Sequence, residues 1–141
     1  MYADSVRFTA TGYKPNSSRR PDLDVIWGHA KWFLDCSVTH PCASTRVSEA
    51  ARVSGHAALV REGEKVQKHG QAAIDNLGRF VPLVIETYGR FGAQAISFFN
   101  DFCASIHKSD PKFRGELVHR MALQVQLAQA KAILHVAQCF Q

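Results

Sequence analysis

The spacing of apolar positions changes several times along the chain, and each change marks an element. Ser5 to Thr11 alternates apolar and polar, which predicts a short strand near 5–11. Gly12 then opens a polar, turn-rich loop holding Lys14, Arg19 and Arg20. Alternation returns at 22–27, with Leu23, Val25 and Trp27 to one side and Asp22, Asp24 and Ile26 to the other. Gly28-His29-Ala30 reads as a turn. The strand beyond it, 31–39, sends Trp32, Leu34, Cys36 and Val38 one way and Phe33, Asp35 and Ser37 the other. Antiparallel pairing through that turn brings Asp22 or Asp24 within reach of Asp35. His40-Pro41 ends the strand, since proline has no N–H for the ladder.

From Arg46 to about His69 the chain becomes helical in composition, with Ser44 or Thr45 as N-cap and a narrow face of Val47, Ala50, Ala51, Ala57, Ala58 and Val60. Gly55 and Gly63 are the two places where this helix can bend or break. The run 80–87, almost wholly apolar between Gly78 and Gly89, predicts a buried strand after a crossover helix, hence parallel to a neighbour. Pro82 places that strand at an edge or puts the proline at its start. Helices follow near 93–107, with Ile96, Phe99, Cys103 and Ile106 on one face, and near 112–139, announced by Asp110-Pro111. The last helix has two apolar stripes, one through Leu117, Met121 and Val125 and one through Leu123, Leu127 and Leu134, so it packs on two sides or meets a partner. The fold class expected is α/β (α+β): a small mixed sheet, a crossover helix near 46–69 and two C-terminal helices, in a single domain spanning 1–141.

Composition adds limits. A chain of 141 residues with 46% apolar and 21% charged positions can bury a core and is not broadly disordered. A net charge of +5 favours an anionic partner, nucleic acid or acidic protein. The four cysteines (Cys36, Cys42, Cys103, Cys139) have no zinc-site spacing and are expected as buried, reduced thiols. With no apolar leader and no run of membrane-spanning length, the expectation is a soluble, intracellular protein.

The chemistry rests on the acids. Asp22 and Asp35, separated by twelve residues, can share a Mg2+ or Mn2+ ion, since magnesium needs only one or two carboxylates and keeps several waters. Lys65 and Lys68 lie three apart on one helical face, and either could steady a phosphate. Lys14, Arg19 and Arg20 belong either to a solvated loop or to a phosphate-contacting approach to the acids. Asp24 shares Asp22's face and is either an auxiliary ligand or, the favoured reading, a solvent-facing acid. Glu86 is either a paired structural acid or a site contributor. His29 and His40 are structural or stray phosphate contacts, and the remaining unpaired histidines are structural.

Several of these pieces occur in a telling order. Arg20-Pro21-Asp22 is followed by Asp35 within Leu34-Asp35-Cys36-Ser37-Val38-Thr39-His40-Pro41. Glu62-x-x-Lys65-x-x-Lys68-His69 comes next, then Phe80 to Gly89, then Phe91-Gly92 and two helices. Over about residues 19–140 this resembles the restriction-enzyme-like endonuclease domain of the PD-(D/E)xK superfamily found after the reverse transcriptase of non-LTR retrotransposons. The resemblance implies a core of strand, strand, strand, helix, strand. It also implies metal ligation by Asp22 and Asp35, with the Cys36 carbonyl as a further ligand, and a catalytic lysine at Lys65 or Lys68. Ser37 departs from the superfamily, where lysine is common two residues after the second acid, and His69 replaces an aromatic. The implied activity is a metal-dependent DNA endonuclease that nicks DNA so that the new 3′ hydroxyl primes reverse transcription. Its implied partners are DNA and an upstream reverse transcriptase of the same polypeptide, and its implied location is nuclear. The chain is then a C-terminal fragment, a degenerate element end or a stand-alone derivative. The alternative is a catalytically inactive remnant of the fold, serving as a basic nucleic-acid- or protein-binding module.

Overall fold

The sheet is built outward from one long strand, and among the described residues three strands precede the first helix. The computed structural model describes residues 7–9, 21–27, 29–107 and 111–138. Lys14, Arg19 and Arg20 lie outside the described residues, as do Asp110 and Cys139. β1 (Arg7–Thr9) pairs antiparallel with β2 (Leu23–Trp27), which pairs antiparallel with β3 (Ala30–Thr39). After α1 (Val47–Ala50) and α2 (His56–Asp75) the chain returns in β4 (Arg79–Glu86), parallel to β3 as expected of a strand that follows a crossover. The order across the sheet is β1-β2-β3-β4. β4 is therefore an edge, which is where a strand tolerates Pro82. α3 (Ala93–His107) and α4 (Pro111–Gln138) complete the chain.

The alternation along β2 and β3 assigns the two faces of the sheet. Val25, Leu34, Val81 and Leu83 cluster with Ala95, Phe98 and Phe99 of α3, and Trp27, Trp32, Phe102, Leu117, Val118 and Met121 close around them. The aromatic side chains meet largely edge-on, as Trp32 does Phe98 and Phe91 does Phe99. The opposite face, with Phe33 and Asp35 beside Phe80 and Pro82, is covered by α2. Of the two stripes on α4, the one through Leu117 and Met121 packs on the core, and Leu123, Leu127 and Leu134 stay exposed.

Several sequence expectations need correction. The helical stretch breaks at Gly55, whose φ of +84° favours glycine, and not at Gly63; α2 runs on to Asp75 and not to His69. Arg46, rather than Ser44 or Thr45, is the N-cap of α1, and no side chain caps it. The buried face of α2 is Ala57, Ala58, Glu62, His69 and Ala73, while Val47 is exposed. In α3 the buried positions are Ala95, Phe98, Phe99 and Cys103, with Ile96 turned outward. Cys36 and Cys42 are free and exposed, and Cys103 alone of the described thiols is buried.

Two glutamates fix the helices that flank the site. Glu86, at the end of β4, accepts the backbone N–H of Ala58 in the first turn of α2 (3.1 Å), and is thus a structural acid. Glu62, on α2 and 1% exposed, accepts the N–H of Gln94 in the first turn of α3 (2.9 Å). Each supplies an acceptor that a helix N-terminus lacks internally. Burial pushes the Glu62 carboxyl above the usual carboxylate range, against the pull of the N–H groups of Gln94, Ala95 and Ala93. A raised folded-state value means stability that is complete at acid pH and declines as pH rises through that value. Glu62→Gln, which keeps an acceptor without the charge, is therefore expected to match or exceed the parent at pH 7 and to lose ground toward pH 4. Glu62→Ala should lose about 1–3 kcal/mol by stranding the Gln94 N–H. Urea denaturation of both variants at the two pH values checks this, and equal losses in both would refute it.

Candidate active site

Register brings the two sequence-predicted acids together. Leu23 pairs with Leu34, so the next residues outward, Asp22 and Asp35, face each other at the end of the β2–β3 ladder. Asp22 stands just before β2 and is exposed. Its Oδ2 accepts the backbone N–H of Cys36 at 2.7 Å, one peptide bond from Asp35. In an extended strand the N–H and C=O of one residue point to the same side. The Cys36 carbonyl is therefore directed toward the edge where Asp22 lies. The Cys36 thiol senses the same cluster: desolvation first, then the charges of Asp22 and Asp35, hold its pKa up, and Lys65 partly offsets them.

Asp35 is 4% exposed and belongs to the face under α2. Lys65 places its ammonium 2.5 Å from Asp35 Oδ2, and His69, one turn further along α2, sits with Nε2 3.9 Å from Oδ1. The His69 ring stacks on Phe80 of β4 at 5.4 Å between centroids, so the imidazole is held between strand and helix. Of the two candidate lysines, Lys65 reaches the acid. Lys68 is exposed on α2 and makes no ion pair with Asp35. Ser37 is half-buried, and its hydroxyl finds no hydrogen-bond partner among the described residues.

Asp24, rather than facing solvent, is buried on the same sheet face as Phe33. It lies opposite Phe33 and approaches Lys31 (3.9 Å), whose ammonium also stands over the Phe33 ring at 4.6 Å. His40 donates to or accepts from the Thr87 hydroxyl at 2.8 Å and packs against Tyr88, a structural role at the far ends of β3 and β4. His29 is exposed. His69 is the residue that sequence reasoning missed, because a histidine in place of an aromatic read only as a departure.

Among the described residues, no three His, Cys, Asp or Glu side chains form a group able to hold a metal. The oxygen donors on adjoining positions are the carboxylates of Asp22 and Asp35 and the Cys36 carbonyl, all hard oxygens. That set fits a cation such as Mg2+, which takes few protein ligands and retains water. It does not fit a closed zinc site. Lys65 against Asp35 shows that positive charge is accommodated there.

Comparison with protein-family models, with curated proteins and with solved structures gave no match for this chain. Among the described residues no helix is long and apolar enough to cross a membrane.

Proposed function

We propose that the chain is a metal-dependent DNA endonuclease, a nickase of the PD-(D/E)xK kind resembling the domain that accompanies retrotransposon reverse transcriptases. One observation carries the reading: of the two acids and two lysines that motif order singles out, Asp22 accepts the Cys36 N–H next to Asp35, and Lys65 pairs with Asp35. The succession β1, β2, β3, α2, β4, with β4 parallel to β3, agrees with the core that the resemblance implies.

Asp22 and Asp35 would hold Mg2+ or Mn2+, with the Cys36 carbonyl directed to the same edge. When bound, such a cation supplies Lewis-acid polarisation of the phosphodiester and a more acidic water. Asp22 keeps its position through the Cys36 N–H, which leaves its second oxygen unused by that bond. Asp35 is oriented from the helix side by Lys65 and His69. The Lys65 ammonium would neutralise charge that develops on the phosphate during attack, the task that Ser37 cannot perform. Net charge of +5 suits a polyanionic substrate. DNA, and a reverse transcriptase upstream in the same polypeptide, are the partners proposed, with the nucleus as the place of action.

Supercoiled plasmid tests the proposal. The purified chain should convert it to nicked circles with MgCl2 or MnCl2, and EDTA should abolish the conversion. Salt-dependent retention of DNA without any nicking under either metal would favour the inactive binding module instead.

A further inference from the structure

We propose that Lys65 is an internal counter-ion that competes with the divalent cation for Asp35, so that cation binding releases the ammonium toward the phosphodiester. This rests on the endonuclease reading of the same site. A carboxylate as enclosed as Asp35 requires compensation of its charge, because an unpaired buried charge is strongly unfavourable. Lys65 provides that compensation, with side-chain exposures of 15% for the lysine and 6% for the aspartate. A divalent ion arriving between Asp22 and Asp35 therefore meets an oxygen that is already neutralised. Two cationic centres on one carboxylate repel strongly at the low effective dielectric of such a place.

The surroundings decide where the displaced lysine can go. Its neighbour Glu64 is already engaged by Arg46 (2.9 Å) and Arg61 (2.7 Å), so it offers Lys65 no open carboxylate. His69 and Phe80 form a stacked wall on the Oδ1 side of Asp35, which closes that route. A lysine stem is long and flexible, with an ammonium that can change partners without moving its helix. A phosphate bound at the Asp22–Asp35 edge would then offer the ammonium a new anionic partner. Lys65 would therefore be freed for the substrate only where a cation had taken over the charge of Asp35. Lys65 sets the affinity for the cation as well as assisting the reaction.

Binding measurements separate these roles. Titration of MnCl2 by calorimetry into Lys65→Gln and Lys65→Met is expected to give affinities roughly tenfold or more above the parent chain, within the usual range of coupling between two binding events. Lys65→Arg, which keeps the charge, should bind no more tightly than the parent. Should a variant fail to fold, the parent chain still answers. In protein labelled with 15N-lysine, the Lys65 ammonium resonance should move in step with added MgCl2. Unchanged or weaker Mn2+ affinity in Lys65→Gln, with a Lys65 resonance that ignores MgCl2, overturns the proposal. If the parent chain binds Mn2+ and nicks plasmid but Lys65→Gln binds no tighter, the counter-ion role alone fails. If the parent neither binds nor nicks, the endonuclease reading fails and takes this inference with it.

Discussion

Asp35→Asn is expected to lower the rate of plasmid nicking about a thousandfold or more, the scale on which removal of a principal charge-stabilising group acts. The side chains have nearly the same shape, so the loss would come from charge. A carboxamide cannot balance a divalent ion, and its NH2 group is repelled by the Lys65 ammonium that now rests against Oδ2. Stability should fall as well, since the variant leaves the lysine without its partner. Removing one member of a buried pair can cost several kcal/mol, but Lys65 retains some exposure and its stem can carry the ammonium outward. A loss of about 1–3 kcal/mol is therefore expected. Initial nicking rates at saturating MgCl2, on protein shown by circular dichroism to be folded, measure the first effect; urea denaturation measures the second. A variant that keeps a tenth of the parent rate would remove Asp35 from the chemistry.

Much of this site could be read from residues alone, and the reason is periodicity. A strand has period two, so Asp35 between Leu34 and Cys36 had to face away from the apolar stripe, and the hairpin register then set it against Asp22. The choice between Lys65 and Lys68 was hidden because the helix phase was taken from Val47 to Val60. Those residues span the Gly55 break, so they do not share one helix. The buried line of α2 is Ala58, Glu62, His69 and Ala73, and Lys65 falls on it at steps of three and four while Lys68 does not. The roles of Glu62 and Glu86 themselves were not legible, since each caps a helix about thirty residues away in sequence. Local pattern contains no record of such contacts.

Those caps make Gly92 a sensitive position. A Cβ at position 92 would fall on the Glu62 carboxylate, with Oε1, Cδ and Cγ all inside normal contact distance. Gly92 is buried and its N–H is bonded to the Val84 carbonyl at 2.9 Å, so the backbone is tied to the sheet and cannot retreat freely. Glu62 would have to move instead, giving up the Gln94 N–H in a place where water does not replace it. Overpacking and loss of the cap together predict a destabilisation of about 2–5 kcal/mol for Gly92→Ala. For a chain of this size that corresponds to a Tm lower by roughly 6–15 °C. The cause can be isolated by a double-mutant cycle with Glu62→Ala, which removes both the clash and the cap. Gly92→Ala should then cost little more in the Glu62→Ala background, and the two losses should fall well short of adding. Full additivity would show that alanine at 92 is disfavoured by its own backbone and not by the carboxylate that joins α2 to α3.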